Sequence, residues 1–124
     1  MASEQRVADH YNHGELLAAI EAGLTRLGLS PETTSIEDLA PVDEFHVGGR
    51  KASSHFLDQL AIQPGMRILD IGCGLGGAAR FAATTYDAHV VGIDLTPEFI
   101  AAGTALCRWV GLDDRVTLHQ GSAL

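Results

Sequence analysis

The residues best suited to chemistry are two acids, Asp70 and Asp94, and the glycine-dense segment that follows the first of them. An apolar run ends at Asp70 and leads into Gly72–Gly77, where four of the six residues are glycine. Glycines remove side chains where a ligand must lie against the backbone, and the N-terminus of the following helix offers unpaired N–H groups. This order of strand, glycine loop and helix predicts a pocket for a nucleoside-bearing cofactor.

The charge of Asp70 indicates which cofactor to expect. Gly72, Gly74 and Gly77 also satisfy the G-x-G-x-x-G spacing of dinucleotide-binding loops, so the glycines alone do not decide. A pyrophosphate on this turn would face an unpaired carboxylate, whereas a ligand carrying an ammonium and a sulfonium would be attracted to it. Asp70 therefore favours S-adenosylmethionine over NAD. An NAD-dependent oxidoreductase half-domain and a non-catalytic cofactor-binding module stay as alternatives.

Asp94 is the candidate for binding a ribose. It ends the second apolar run, at the distance downstream where an acid meets the ribose in nucleotide-binding folds. Its carboxylate can accept hydrogen bonds from both hydroxyls; the alternative is an acid that caps the turn into the next helix. Leu95 is expected against the adenine or ribose, and Thr96 is better explained as a helix cap than as a ligand.

Two segments, Ile68–Gly77 and Val91–Glu98, resemble the class I S-adenosylmethionine-dependent methyltransferases. The resemblance is closest to the small-molecule branch, with its ubiquinone-, sarcosine/dimethylglycine- and phosphoethanolamine-type enzymes. Asp43–Arg50 resembles the segment that precedes the first strand in that branch. The resemblance implies an α/β fold with a Rossmann-like parallel sheet, of which this chain holds the first three strands of seven. It also implies a truncated enzyme whose catalytic residues, still unknown, lie mainly in later strands and loops.

The resemblance further implies methyl transfer to a small-molecule acceptor. A small amine is favoured because of the Phe45–Arg50 segment, and a quinone- or sterol-like carbon acceptor comes second. S-adenosyl-L-methionine is the implied cofactor, with Tyr11 as a candidate lid over its pocket. The cofactor-binding residues expected from the motifs and the resemblance together are Asp70, Gly72, Cys73, Gly74, Asp94, Leu95, Gly48, Ser122 and Ala123.

Composition excludes several classes of partner. The chain has 124 residues, a formal net charge of −8 and 46% hydrophobic residues, which is typical of a globular protein that does not bind nucleic acid. No apolar run predicts a membrane span, and the N-terminus lacks a signal-peptide pattern. Two cysteines and six histidines, with no metal-ligand spacing, predict no disulfide, no metal site and a cytoplasmic location.

Periodicity predicts an N-terminal helical region over residues 1–64 and alternating strands and helices over residues 65–124. The resemblance implies that residues 65–124 are a partial Rossmann-like domain. Right-handed crossovers place the strands in the order 3-2-1, and the apolar first two strands predict a sheet covered on both faces. The first strand would leave a bare edge, which predicts self-association or instability of the isolated chain. Arg80 is interpreted as a solvated charge. The predicted strands are Met66–Ile71, His89–Ile93 and Arg115–His119; the helices between them are Leu75–Tyr86 and Pro97–Val110; an earlier helical stripe is formed by Leu16, Leu17, Ile20, Leu24 and Leu27, and Gly28 ends it.

Overall fold

The computed structural model describes residues 15–39 and 56–124. Three sequence predictions, for Tyr11, Gly48 and the rest of the Asp43–Arg50 segment, lie outside the described residues. The division of the chain at residue 64 therefore stays a prediction.

Helix α1 spans Glu15–Arg26 and buries Ile20 and Leu24, as the apolar spacing predicts. It is followed by Gly28, whose φ of +78° is a left-handed conformation that suits glycine at a helix end. Leu27 differs from its prediction: it follows the last helical residue and is 69% exposed. The apolar stripe thus ends one turn earlier than the leucine spacing indicates.

The connection after α1 is organised by side-chain capping. Ser35 N–H donates to Asp38 Oδ2 at 2.9 Å, and Asp38 N–H donates to Ser35 Oγ at 3.3 Å. This reciprocal pair is the capping interaction that the Ser-x-x-Asp spacing predicts. It brings Leu39 into the core, where its side chain is fully buried against the α1 cluster.

From residue 67 onwards, strands and helices alternate in a three-stranded parallel sheet with β2 in the centre. The predicted strand order is confirmed, because order 1-2-3 read across the sheet is the same arrangement as 3-2-1. Ile68, Val90 and Val116 lie side by side at one register position. The elements are β1 Arg67–Ile71, α2 Gly77–Tyr86, β2 His89–Asp94, α3 Pro97–Trp109 and β3 Val116–Gln120.

Both α2 and α3 pack on the same face of the sheet. Successive right-handed crossovers that move in one direction along a sheet place their helices on one side, which explains this arrangement. Small residues on α2 allow the close approach, and α1 packs on the outer side of α3 through a separate apolar cluster. The core between α2, α3 and the sheet contains Ala79, Ala82, Ala83, Val90, Cys107, Val116 and Leu118.

Among the described residues the opposite face of the sheet is open, and the prediction that both faces are covered stays a prediction. Leu69 and Ile71 on β1 are 58% and 61% exposed, and Val91 on β2 is 40% exposed. The strand sequences are apolar enough to be covered twice, but both described crossover helices lie on the other side. The apolar character of a strand reports what it can pack against, and the topology decides where helices lie.

Helix α3 packs closely against the glycine loop at Gly103. A Cβ added at Gly103 would lie 2.4 Å from the carbonyl oxygen of Leu75 and 2.7 Å from Leu118 Cδ1. The first of these contacts is with backbone, which cannot rotate away. Glycine at position 103 is therefore required for α3 to rest directly against the loop.

We expect Gly103→Ala to destabilise the chain by about 1–3 kcal/mol, as overpacking of a tight core does. The matched control is Gly23→Ala in α1, where an added Cβ meets nothing within 4 Å. That change should stabilise the helix by about 0.5–1 kcal/mol because alanine has the higher helix propensity. Urea unfolding midpoints of both variants test the contrast; equal effects of the same sign would contradict it.

Self-association of the isolated chain stays a prediction, and the structure supplies its physical basis. β1 lies at the edge of the sheet among the described strands, and Leu69 on it is exposed. We expect Leu69→Lys to reduce association, because charged residues on an edge strand oppose strand pairing. Sedimentation velocity over a concentration series measures this. A monodisperse, cooperatively melting wild-type monomer would refute it.

Candidate cofactor-binding site

The glycine loop folds back across the carboxyl end of β2. The backbone N–H groups of Gly72 and Cys73 both donate to the carbonyl oxygen of Ile93, at 2.7 and 3.0 Å. Gly72 and Gly74 have φ values of +76° and +58°, a region that L side chains rarely adopt. The glycines are needed here for the turn itself, and they leave the outer surface of the loop free of side chains.

Asp94 joins the loop to the start of α3. Its Oδ2 accepts a hydrogen bond from Gly74 N–H at 2.9 Å, and its Oδ1 accepts one from Thr96 N–H at 3.0 Å. The capping role that the sequence left open is therefore present. It does not exclude a ribose, since each carboxylate oxygen can accept a second hydrogen bond. Thr96 is the N-cap residue of α3 as predicted, but its side chain makes no capping hydrogen bond. Asp94 instead accepts from the N–H of Thr96 itself and so closes the turn that leads into α3.

Asp70 shares this edge of the sheet with Asp94. Burial raises the pKa of the Asp70 carboxyl above its ordinary value of 3.8, and the negative charge of Asp94 raises it further. Two carboxylates that repel each other in a half-buried setting are stabilised by a positively charged ligand. The electrostatics at the loop therefore suit a cation and oppose a pyrophosphate.

Cys73 has no nucleophilic character in this environment. Burial, followed by the charges of Asp70 and Asp94, raises the pKa of its thiol to about 11, so the thiol is protonated at neutral pH. Its side chain packs on β2 where Gly92 leaves room: a Cβ at Gly92 would lie 2.8 Å from Cys73 Sγ. Cys73 is a small packing residue in a tight loop.

The segment after β3 lies beside Asp94 and Leu95. Gly121 N–H donates to the Asp94 carbonyl oxygen at 2.9 Å, and Gln120 Nε2 donates to the Leu95 carbonyl oxygen at 3.4 Å. Leu95 is exposed, and so are Ser122 and Ala123 just beyond. The residues expected around an adenine thus belong to neighbouring segments at the carboxyl edge of the sheet.

Arg80 contradicts its sequence interpretation. It is 0% exposed, and its guanidinium reaches α3, where Nη1 donates to the Gly103 carbonyl oxygen at 3.2 Å. The sequence feature that indicates this burial is the set of small residues around Arg80. Ala79 precedes it by one position and Ala83 follows it by three, and both are buried. An arginine on an alanine stripe faces the core when a glycine opposite leaves space for it.

Described residues line cavities on two sides of the sheet. One, of about 330 Å³, lies between residues 56–60, β1 and α2, and Asp70 is the ionisable residue among its described lining. The other, of about 370 Å³, lies at the amino end of the strands around Arg67 and Arg115, away from every described site residue. In the described ranges, no cluster of His, Cys, Asp and Glu could hold a metal ion, and no helix is long and apolar enough to cross a membrane.

Comparison with known proteins places this geometry in context. The chain is 44% identical over 54 residues to phosphoethanolamine N-methyltransferase of Triticum aestivum, covering 44% of this chain and 11% of that protein. It is 43% identical over 63 residues to cyclopropane-fatty-acyl-phospholipid synthase of Escherichia coli K12, covering 51% of this chain and 16% of that protein. The chain therefore spans a small fraction of the length of these relatives.

A solved structure shows the same fold. Geranyl diphosphate C-methyltransferase from Streptomyces coelicolor A3(2), in complex with Mg²⁺, geranyl diphosphate and S-adenosyl-L-homocysteine, superimposes with a TM-score of 0.55 and 25% identity. The match covers 57% of this chain and 27% of that one. The described sheet is accordingly part of a methyltransferase Rossmann-like fold.

A family model matches more than half of the chain. The model for mycolic acid cyclopropane synthetase matches residues 42–121, which include the glycine loop, Asp94 and all three strands. Because the match covers more than half of the chain and includes the whole described sheet, the chain belongs to the mycolic acid cyclopropane synthetase family.

Proposed function

We propose that this chain is the cofactor-binding part of an S-adenosylmethionine-dependent methyltransferase that acts on a small-molecule acceptor. The observation that carries the proposal is the double hydrogen bond of Asp94, which links Gly74 N–H to Thr96 N–H at the carboxyl ends of two parallel strands. Ligands of open α/β sheets bind at this edge. The complex of the Streptomyces coelicolor relative with S-adenosyl-L-homocysteine supports the same cofactor here.

The proposed site has three parts, each formed by different residues. Asp94 would accept hydrogen bonds from the ribose hydroxyls. The loop at Gly72–Gly74, with Asp70 behind it, would face the charged methionine portion. Leu95 would lie against the adenine, with Ser122 and Ala123 beside it in the neighbouring segment.

The chain's own residues need to bind and orient, and no nucleophile is required of them. A bound sulfonium supplies an activated methyl group, which the lone pair of the acceptor attacks to leave a neutral thioether. Asp70 would favour the positively charged cofactor over the neutral product, since its negative charge attracts the sulfonium. The protonated Cys73 thiol takes no part.

The acceptor is proposed by class. The two relatives named above carry the names of different acceptors, phosphoethanolamine and a fatty-acyl phospholipid. We favour a small amine, on the resemblance of the Phe45–Arg50 segment, with a carbon acceptor second. A cytoplasmic location belongs to the same proposal.

The ribose assignment predicts that Asp94→Ala weakens binding of S-adenosylhomocysteine by about ten- to a hundredfold. Hydrogen bonds to a charged group contribute about 1.5–3 kcal/mol each, which corresponds to this range. Isothermal titration calorimetry on the wild-type chain and the variant measures the change. A folded wild-type chain that binds NADH and ignores S-adenosylhomocysteine would overturn the proposed function.

Because Asp94 also braces the loop, a comparison of ligands with and without the ribose hydroxyls separates the two roles. Adenosine and 2′,3′-dideoxyadenosine differ in the hydroxyls alone. If Asp94 binds the ribose, the wild-type chain prefers adenosine, and Asp94→Ala loses that preference. If Asp94 only braces the loop, the variant loses affinity for both ligands equally.

Substitution of Asp70 is expected to have opposite effects on the stability of the chain and on its binding of the cofactor. Its folded-state pKa lies above its unfolded value of 3.8, so between these two values the folded chain binds more protons than the unfolded one. Asp70 therefore makes the chain less stable as the pH rises through that window. We expect Asp70→Asn to raise the melting temperature at pH 7 and to weaken binding of S-adenosylmethionine more than that of S-adenosylhomocysteine.

Scanning calorimetry over a pH series from acid to neutral tests the stability effect. The wild-type chain and the Asp70→Asn variant should have similar melting temperatures at the acid end and diverge as the pH rises. A variant that is less stable at pH 7, or that binds both ligands as the wild type does, contradicts the assigned role.

A further inference from the structure

Arg80 is a charged residue in the interior of the fold, and its environment is specific. Its side chain is fully buried, and a guanidinium keeps its charge at any pH at which the protein folds. Nη1 donates to the Gly103 carbonyl oxygen at 3.2 Å and to Cys107 Sγ at 3.4 Å. Both acceptors lie on α3, one turn apart, whereas Arg80 itself belongs to α2. The side chain therefore bridges the two helices.

The bridge lies directly beneath the glycine loop. A Cβ added at Gly76 would lie 3.2 Å from Arg80 Nη1, so the guanidinium fills the space under that residue. Arg80 N–H also donates to the Gly76 carbonyl oxygen at 2.9 Å. On the far side of the same contact, Gly103 lies so close to Leu75 that no side chain would fit between them. Loop, guanidinium and α3 form one continuous contact.

The two helices joined in this way carry the two ends of the candidate site. The glycine loop leads into α2, and Asp94 and Leu95 lead into α3. A ligand that contacts the loop and Asp94 together requires a defined distance between them. The Gly74–Asp94 hydrogen bond spans this gap at the surface, and Arg80 spans it from below.

We propose that Arg80 is a positioning residue that holds the glycine loop at the correct distance from Asp94, so that both ends of one cofactor molecule are bound at once. This inference rests on the proposed function. It assigns to the buried guanidinium a role in binding that requires no contact of its own with the ligand. Misplacement by a fraction of an ångström at such a site is enough to lower ligand binding.

The test compares a ligand that spans the site with one that occupies one end. S-adenosylhomocysteine reaches both Asp94 and the loop, whereas adenosine reaches the Asp94 end alone. We expect Arg80→Met, which keeps the length but removes the donors, to lower S-adenosylhomocysteine affinity about tenfold or more and adenosine affinity about twofold at most. Arg80→Lys, with one donor group retained, should recover part of the difference.

Val116→Ala is the matched control. Val116 is buried in the same core but lies at the start of β3, at the opposite end of the sheet from the loop. This variant should lower the melting temperature and leave the ratio of the two affinities unchanged. If Arg80→Met does not fold, the ratio measured for Arg80→Lys decides, and an unchanged ratio there overturns the inference.

The outcomes separate this inference from the function on which it rests. If the wild-type chain does not bind S-adenosylhomocysteine, both the proposed function and the role of Arg80 are wrong. If the wild-type chain binds S-adenosylhomocysteine and Arg80→Met binds it equally well, the positioning role alone is wrong. The same holds if Arg80→Met loses affinity for both ligands in the same proportion. Selective loss of the spanning ligand supports it.

Discussion

The arrangement of the candidate site depends on the hydrogen bonds that hold the glycine loop to the carboxyl end of β2. Ile93 supplies a carbonyl oxygen to two successive N–H groups of the loop, and Asp94 supplies a carboxylate oxygen to a third. The other Asp94 oxygen accepts from Thr96 at the start of α3. Two adjacent residues of one strand therefore position the glycine loop and the start of α3, two of the segments that could contact a nucleoside-bearing ligand.

This contact is possible because glycines remove side chains where the segments meet. Gly76, Gly92 and Gly103 all surround Leu118, whose methyl groups lie 2.7 to 3.0 Å from the Cβ positions that these residues lack. Leu118 on β3 thus fills the space beneath the loop, between β2 and α3. Close packing of this kind resists small displacements, since interiors packed at crystal density have little room to adjust. The rigidity of the site comes from the core below it.

The charged residues around the glycine loop lie on two sides of it, with acids at the edge of the sheet and an arginine below the loop. The edge of the sheet that carries the loop has Asp70 and Asp94, and burial together with mutual repulsion raises the pKa of Asp70. Below the loop, the buried guanidinium of Arg80 binds to backbone and sulfur acceptors on α3. The electrostatics of this edge therefore favour a cationic ligand. Groups with perturbed pKa values are often found at functional sites.

Much of the fold follows from local sequence patterns. The strands, the two crossover helices and the Ser35–Asp38 cap were predictable because each depends on residues within one or two turns of one another. Right-handed crossovers then determined the strand order. The glycine loop and Asp94 were recognisable as a site because strand ends in a parallel sheet meet at one edge.

The tertiary structure decided the features that depend on residues far apart in the sequence. Considered within α2 alone, Arg80 was interpreted as a solvated charge. It is buried because Gly103 and Cys107, more than twenty positions away, accept its hydrogen bonds. Thr96 has the residue type of a cap, yet its side chain makes no capping bond. Its own N–H donates to Asp94, whose other carboxylate oxygen accepts from the glycine loop. Leu69 and Val91 are apolar enough for a covered face and are exposed, since the topology places both helices on the other side. The sequence by itself determined the elements and the chemistry at their ends; which groups are buried, paired or exposed was decided by contacts between segments far apart in the chain.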